Sequence, residues 1–404
     1  MSTSLRRSIG PVRLTLYGLG TVLGAGIYVL VGEVAAQAGV WAPLSFFISA
    51  AIAAICGLSF GELAARYPES AGEAAYVQAG FRIPQLSALV GFAVAVTGVV
   101  SAAAIAVGFA GYLKIFVAVP PELAVAGLLL GLGTLAAVGV DASVTAAVIM
   151  TLIEVAGLIL VVFATRAHLF TLPEKLPQLL AEPPSPNGVL IGAFLAFYAF
   201  IGFEDMVNSA EEVKDPERTL PLSIMAALVA STLLYVVVAL IAVLALPVEE
   251  LAGAEAPLST LYAQATGNSP WLITAISLVA VSNGALVQIV MASRVVYGLS
   301  RKGWLPAQLG AVSSRTQTPL LATALVTLVV LVLALLFPIK VLAQATSFII
   351  LVIFAIAQLA LVALKTRGEP SPSLNLPRWV PLLGATAALG FVALRALTWL
   401  LASP

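Results

Sequence analysis

The sequence predicts an all-α, multi-pass membrane protein with about eleven transmembrane helices, two of them discontinuous. Three observations carry that prediction. Of the 404 residues, 61% are hydrophobic and 9% charged, whereas about a quarter of a soluble domain is charged. Apolar runs of the roughly 20 residues needed to cross a hydrocarbon core recur along the whole chain. Two of these runs, the first and the sixth, carry glycine or acid where an unbroken helix would not.

The runs are 14–36, 42–65, 85–117, 121–140, 144–165, 188–210, 221–246, 270–299, 319–337, 341–364 and 379–401. The first contains Gly18, Gly20, Gly24, Gly26 and Gly32. Glycine costs about 1 kcal/mol relative to alanine in a helix interior, so Gly24-Ala25-Gly26 predicts an unwound hinge. Broken backbone at membrane depth survives only where protein covers it or where it lines a cavity. Runs three and eight are long, which predicts tilt, and Pro120-Pro121 separates the third from the fourth. The polar connections 166–187 and 247–269 are the longest, and the second predicts a short interfacial helix. In the sixth run Gly202 is followed by Glu204 and Asp205, where each charge costs about 2.5–3.5 kcal/mol. Gly202 alone also fits close helix packing. Together with the acids, five runs after the first break, it fits a fold that pairs two discontinuous helices around a midplane site.

Composition excludes several classes. Net charge is zero, so no attraction to nucleic acid is expected. One cysteine, Cys56, allows no internal disulfide, and with one histidine, His168, there is no basis for a metal centre. His168 reads as a loop residue and Cys56 as a small buried apolar one. No cofactor is expected. With no phosphate-binding glycine loop there is no primary pump, and with no histidine–acid or serine–base cluster the chain does not read as an enzyme. A channel or lipid-handling protein would carry a continuous polar stripe, whereas the charges here are few and isolated.

With the N-terminus placed in the cytoplasm, Lys114, Arg166, Lys175, Lys340 and Arg395 fall outside and the other fourteen of the 19 lysines and arginines inside. This bias predicts that orientation in the cell membrane. The start of the chain, with Arg6, Arg7 and Arg13, continues directly into a full span and shows no cleavable signal. Arg294, Arg301 and Lys302 read as cytoplasmic anchors, and Glu211 to Arg218 as a loop of local ion pairs.

Five segments resemble the amino acid–polyamine–organocation superfamily of permeases: Gly20-Thr-Val-Leu-Gly-Ala-Gly-Ile27, Gly61-Glu-Leu-Ala-Ala-Arg-Tyr-Pro68 with Ala71-Gly72 and Tyr76, Tyr198-Ala-Phe-Ile-Gly-Phe-Glu204, Glu211-Glu-Val-Lys-Asp-Pro-Glu-Arg-Thr-Leu-Pro221, and Ser293-Arg-Val-Val-Tyr-Gly-Leu-Ser-Arg-Lys-Gly-Trp-Leu-Pro306. The first and sixth helices are most similar to bacterial relatives of the cationic amino acid transporters. The resemblance implies a LeuT-like 5+5 inverted repeat within a single transporter domain over 1–404. Repeat one covers about 12–166, repeat two about 187–366, and an extra helix about 377–401. It implies a secondary active permease for an amino acid or related amine, working by alternating access. Proton coupling leads, with exchange or sodium symport as alternatives.

On that reading the amides of Gly24, Ala25, Gly26 and Ile27, beside Thr21, form a helix N-terminus that favours a carboxylate. The carbonyls from Phe197 through Ala199 to Phe200, left open before Gly202, suit an ammonium. Phe200 or Phe203 would close over substrate. Coupling falls to Glu154, Glu204, Ser282 and Asn283. Glu154 departs from the family pattern, since proton-coupled and exchanging members carry a lysine at the similar position. A buried acid there suits proton exchange, a bound cation, or a hydrogen bond to backbone.

Overall fold

The computed structural model describes residues 7–402 except Ala25, Ser70, Ala71, Ile115, Glu182 and Glu255. Among the described residues every regular element is helical, apart from one parallel bridge between Ile9 and Val213. Helix is the expected outcome, because a chain in hydrocarbon must satisfy its amides within each segment.

The first run forms α1 (Pro11–Leu23) and α2 (Gly26–Ala38). Then come α3 (Ala42–Arg66), α4 (Gly72–Phe81), α5 (Pro84–Leu113), α6 (Pro121–Val138), α7 (Val140–Thr165) and α8 (Leu172–Ala181). The sixth run forms α9 (Pro186–Tyr198) and a 3-10 segment, Phe203–Glu212. The chain continues as α10 (Pro216–Ala245), α11 (Val248–Gly253), α12 (Pro257–Thr266), α13 (Trp271–Arg301), α14 (Leu320–Leu336), α15 (Ile339–Thr366) and α16 (Trp379–Ala402). Proline in the first turn starts α1, α3, α5, α6, α9 and α10, where its fixed φ suits the helix and its missing amide is no loss. The 247–269 connection forms two short helices rather than one, and a further short helix, α4, lies between the second and third apolar runs.

Among the described residues, eight helical stretches are long and apolar enough to cross a membrane. Leu320–Leu336 and Trp379–Leu394 are apolar but shorter, and the first run is cut into two 13-residue helices. Length alone therefore finds fewer spans than the eleven apolar runs. α13 is the most enclosed long helix, packed on α5 and α7, while α10 lies on α3, α1 on α7 and α10, and α2 on α9. Phe47, Leu89, Leu130, Phe163, Leu233 and Leu328 point outward, as side chains facing acyl chains do.

Polar contacts knit the face that carries the N-terminus. The amides of Ser8 and Ile9 donate to the Glu212 carbonyl at 2.9 and 3.0 Å, and the Lys214 amide returns to the Ile9 carbonyl at 2.9 Å. Arg294 is not a surface anchor. Its Nε donates to Glu212 Oε1 at 3.0 Å with both side chains fully buried, so Glu212 pairs across the bundle instead of within its loop. Glu62 Oε1 receives Arg66 Nη2 and Lys365 Nζ, each at 2.6 Å, and its Oε2 receives the Leu376 amide at 2.9 Å. Those contacts join α3, α15 and the approach to α16.

Candidate functional site

The two interruptions meet. α1 closes its last turn with the Gly24 amide on the Gly20 carbonyl at 3.1 Å, and helix resumes at Gly26. Ala25, expected at the centre of the hinge, lies outside the described residues. α9 stops at Tyr198 and tightens: the amides of Ala199, Phe200 and Ile201 donate three residues back, to the carbonyls of Ala196, Phe197 and Tyr198. Gly202 then turns the chain at φ 126°, where a side chain is strained. A Cβ on it would lie 2.7 Å from the Thr21 side chain, so glycine permits both the turn and the crossing. From α10, the Tyr235 hydroxyl sits 2.6 Å from the Val22 carbonyl and 3.0 Å from the Ala199 carbonyl, and donates its proton between the two broken helices.

Around this crossing is a cavity of about 50 Å³, lined by Thr21, Val22 and Gly26, by Ser101 and Ile105 of α5, by Tyr198 and Ile201, by Gly284 and Gln288 of α13, and by Thr346 of α15. That is room for about three to five waters. A smaller space of about 10 Å³ shares Ser101, Ile201, Gln288 and Thr346 with it and ends on Glu204 and Asp205. Gln288 Nε2 donates to Asp205 Oδ2 at 2.5 Å, and Glu204 Oε2 accepts the Gly202 amide at 2.8 Å. Glu204 thereby fixes the break it adjoins. A third cavity, about 270 Å³ and largely apolar, lies between α2, α9, α15 and α16 and reaches Tyr198 and Ile201 from another side.

Glu154 is fully buried on α7. Asn283 Nδ2 donates to Glu154 Oε1 at 3.1 Å and to Thr151 Oγ1 at 3.0 Å. Both halves of the first interrupted helix touch this turn. A Cβ on Gly20 would collide with Thr151 and Asn283, and the Tyr28 hydroxyl of α2 donates to the Glu154 carbonyl at 3.0 Å. Yet Glu154 Oε2 and Asn283 Oδ1 are both buried without a partner. The node lacks hydrogen-bond donors, and leaving such oxygens unmet costs about 1–3 kcal/mol each.

Of the residues expected to form a site, Thr21 and Gly26 line the 50 Å³ cavity, Glu204 the smaller one and Phe197 the apolar one. Gly24, Ile27, Ala199 and Gly202 shape the crossing without lining these cavities. Several expectations fail in detail. The carbonyls of Phe197, Tyr198 and Ala199 are not open, because 3-10 bonding and Tyr235 already occupy them. Phe200 and Phe203 line none of these three cavities. Phe200 packs on Tyr235 with ring centroids 5.0 Å apart, and Phe203 lies between Phe60 and Phe354 at 5.8 and 5.3 Å. Ser282 bonds back to the Leu278 carbonyl at 2.8 Å, one residue and about 100° away from Asn283 on the helix. The lower half of the sixth run is a 3-10 segment carrying Glu204, Asp205, Glu211 and Glu212, unusually long for that geometry. Sequence reasoning missed Tyr235, Gln288, Ser101 and Thr346, none of which stands in a motif.

Comparison with known proteins bears on this arrangement. The amino acid permease family matches residues 9–403. The branched-chain amino acid permease BcaP of Bacillus subtilis (strain 168) is 29% identical over 98% of this chain and 91% of its own length. The vacuolar cationic amino acid transporter 4 of Arabidopsis thaliana is 28% identical over 89% of this chain, which spans 64% of that longer protein. An uncharacterized transporter of Mycobacterium tuberculosis (strain ATCC 25618 / H37Rv) is 31% identical, covering 94% of this chain and 84% of its own. With two interrupted apolar helices crossing beside a small cavity and a family match along almost its entire length, the chain belongs to the amino acid permease family, a family of transporters.

Proposed function

We propose that this permease is a secondary active, proton-coupled amino acid transporter that works by alternating access in the cell membrane, with its N-terminus in the cytoplasm. The crossing of α1–α2 and α9 with its 3-10 segment, bridged by Tyr235, is the observation that carries the reading. Substrate lies in the 50 Å³ cavity, its carboxylate toward Thr21 and Gly26 at the start of α2 and its ammonium toward the backbone around Ile201. The helix N-terminus favours the anion, and the resident carbonyl bonds make way as substrate enters. The two interruptions five spans apart support a 5+5 inverted repeat of the LeuT type.

Coupling runs through Glu154. A proton taken up there supplies a donor to the node that lacks one, and both halves of the first helix rest on that turn. Proton binding and the posture of that helix are thereby linked. Uptake into proteoliposomes, with a panel of apolar and cationic amino acids and imposed proton or sodium gradients, tests the reading. Saturable uptake driven by an inward proton gradient is expected. One pH unit drives about tenfold accumulation for one proton, since a factor of ten is about 1.4 kcal/mol. Glu154→Gln is expected to abolish accumulation while retaining exchange of labelled for unlabelled substrate. Accumulation by the variant on a proton gradient overturns the role of Glu154, and uptake by wild type only in exchange, or only with sodium, overturns proton symport.

A further inference from the structure

α4 bridges α3 and α5 outside the membrane-spanning stretches and packs on α15, α5 and the 3-10 segment. Its first turn carries Glu73, whose side chain is fully buried. Asn208 Nδ2 reaches Glu73 Oε1 over a long 3.4 Å, and Asn208 Oδ1 accepts the Gly72 amide at 3.0 Å. Glu73 Oε2 and the Tyr76 hydroxyl, one turn on, are buried without partners. Facing Glu73 from the 3-10 segment are Glu204 and Asp205, the floor of the smaller cavity. Tyr76 shares its own helix. Lys365 of α15 is held by Glu62, and among the described residues no lysine or arginine forms an ion pair with Glu73, Glu204 or Asp205.

Three buried carboxylates without a cation cannot all be charged at an acceptable cost. Burial, with repulsion from Glu204 adding to it, pushes the Glu73 carboxyl up to about 8. Its place at the N-terminus of α4 has the opposite tendency, because the helix dipole favours the anion there. Burial is thus what keeps this acid neutral in the structure.

We propose that Glu73 releases the coupled proton at the N-terminal face: its carboxyl holds the proton while that face is closed and gives it up to water when the face opens. The O–H bond of the carboxyl breaks, the proton passes to the entering water, and the carboxylate remains at the α4 N-terminus, opposing closure until it is protonated again. The proposal rests on the reading of the chain as a proton-coupled permease.

Infrared titration of the purified full chain tests it without any substrate. A carbonyl band from a neutral buried carboxyl is expected to disappear as the pH rises through about 8 and to be missing in Glu73→Gln. Proteoliposomes loaded with labelled leucine or lysine and held at equal pH on both sides supply the second readout. Net efflux from wild type is expected to rise about tenfold between about pH 7 and about pH 9, following the ionised fraction of such a group. In Glu73→Gln the rise is expected to stay below about twofold, with leucine or lysine exchange retained. If Glu73→Gln does not fold, Asn208→Ala decides. Loss of the Asn208 donor to the carboxylate moves the band's titration to higher pH, and an unmoved titration overturns the proposal. A band that still titrates through about pH 8 in Glu73→Gln, or unchanged pH dependence of its efflux, also overturns it. If wild type carries no amino acid at all, the proposed function fails, and the infrared titration still decides whether Glu73 holds the proton.

Discussion

Glu62 and Glu154 are both fully buried glutamates on long apolar helices, and their surroundings differ completely. Glu62 receives two cations and a backbone amide, so both of its oxygens are met. Glu154 receives one side-chain amide, and one of its oxygens has no donor. A buried carboxylate with donors on both oxygens is held firmly in place and is costly to disturb. One left short of donors stands close to its neutral form in energy and can change state as water access changes. The first belongs to the architecture of the N-terminal face, where it ties α3 to α15. The second is suited to taking part in a cycle.

The contrast can be broken in order of expected effect on stability. Glu62→Ala leaves Arg66 and Lys365 buried without their anion and is expected to cost about 3–5 kcal/mol, read as a large drop in the thermal midpoint in detergent. Lys365→Met leaves Arg66 on Glu62 and removes the charged hydrogen bonds to Glu62 and Asn375, so about 1.5–3 kcal/mol is expected by the same measurement. Tyr235→Phe keeps the ring packed on Phe200 and Phe46 but strips a donor from two buried carbonyls. About 1–3 kcal/mol is expected, with weakened substrate affinity by scintillation proximity binding. Glu154→Gln comes last. Glutamine keeps the shape and the acceptor for Asn283 and brings an amide that the node lacked, so a stability change within about 0.5 kcal/mol is expected, beside the complete loss of proton-driven accumulation. A large loss of stability in this last variant would place Glu154 with Glu62 and dissolve the distinction.

How much of this was legible follows the same line. Apolar runs and glycine placement locate every long helix and both interruptions, because hydrocarbon leaves the backbone few alternatives. Glu154 and Asn283 were each conspicuous as polar residues in apolar runs. Their partnership was not, since 129 positions separate them. Tyr235 sits in Leu-Leu-Tyr-Val-Val and reads as core. Its role exists only because its hydroxyl reaches two carbonyls on two other elements. Glu62 read as part of a motif without a reason, which is supplied by Lys365 some 300 residues on. Of the carbonyls expected to be open before Gly202, those of Phe197, Tyr198 and Ala199 are occupied. A helix that ends inside protein tightens into 3-10 bonds before leaving acceptors bare.

The backbone pairing of Ser8 and Ile9 with Glu212, and of Lys214 with Ile9, has a mechanical consequence. It pins the stem of α1 to the tail of the 3-10 segment, so the lower arms of the two broken helices are levers on one pivot. Neither arm can part from the other unless these three hydrogen bonds yield, whereas Arg13 holds α1 to Asp141 and Thr145 of α7 and Arg294 holds Glu212 to α13.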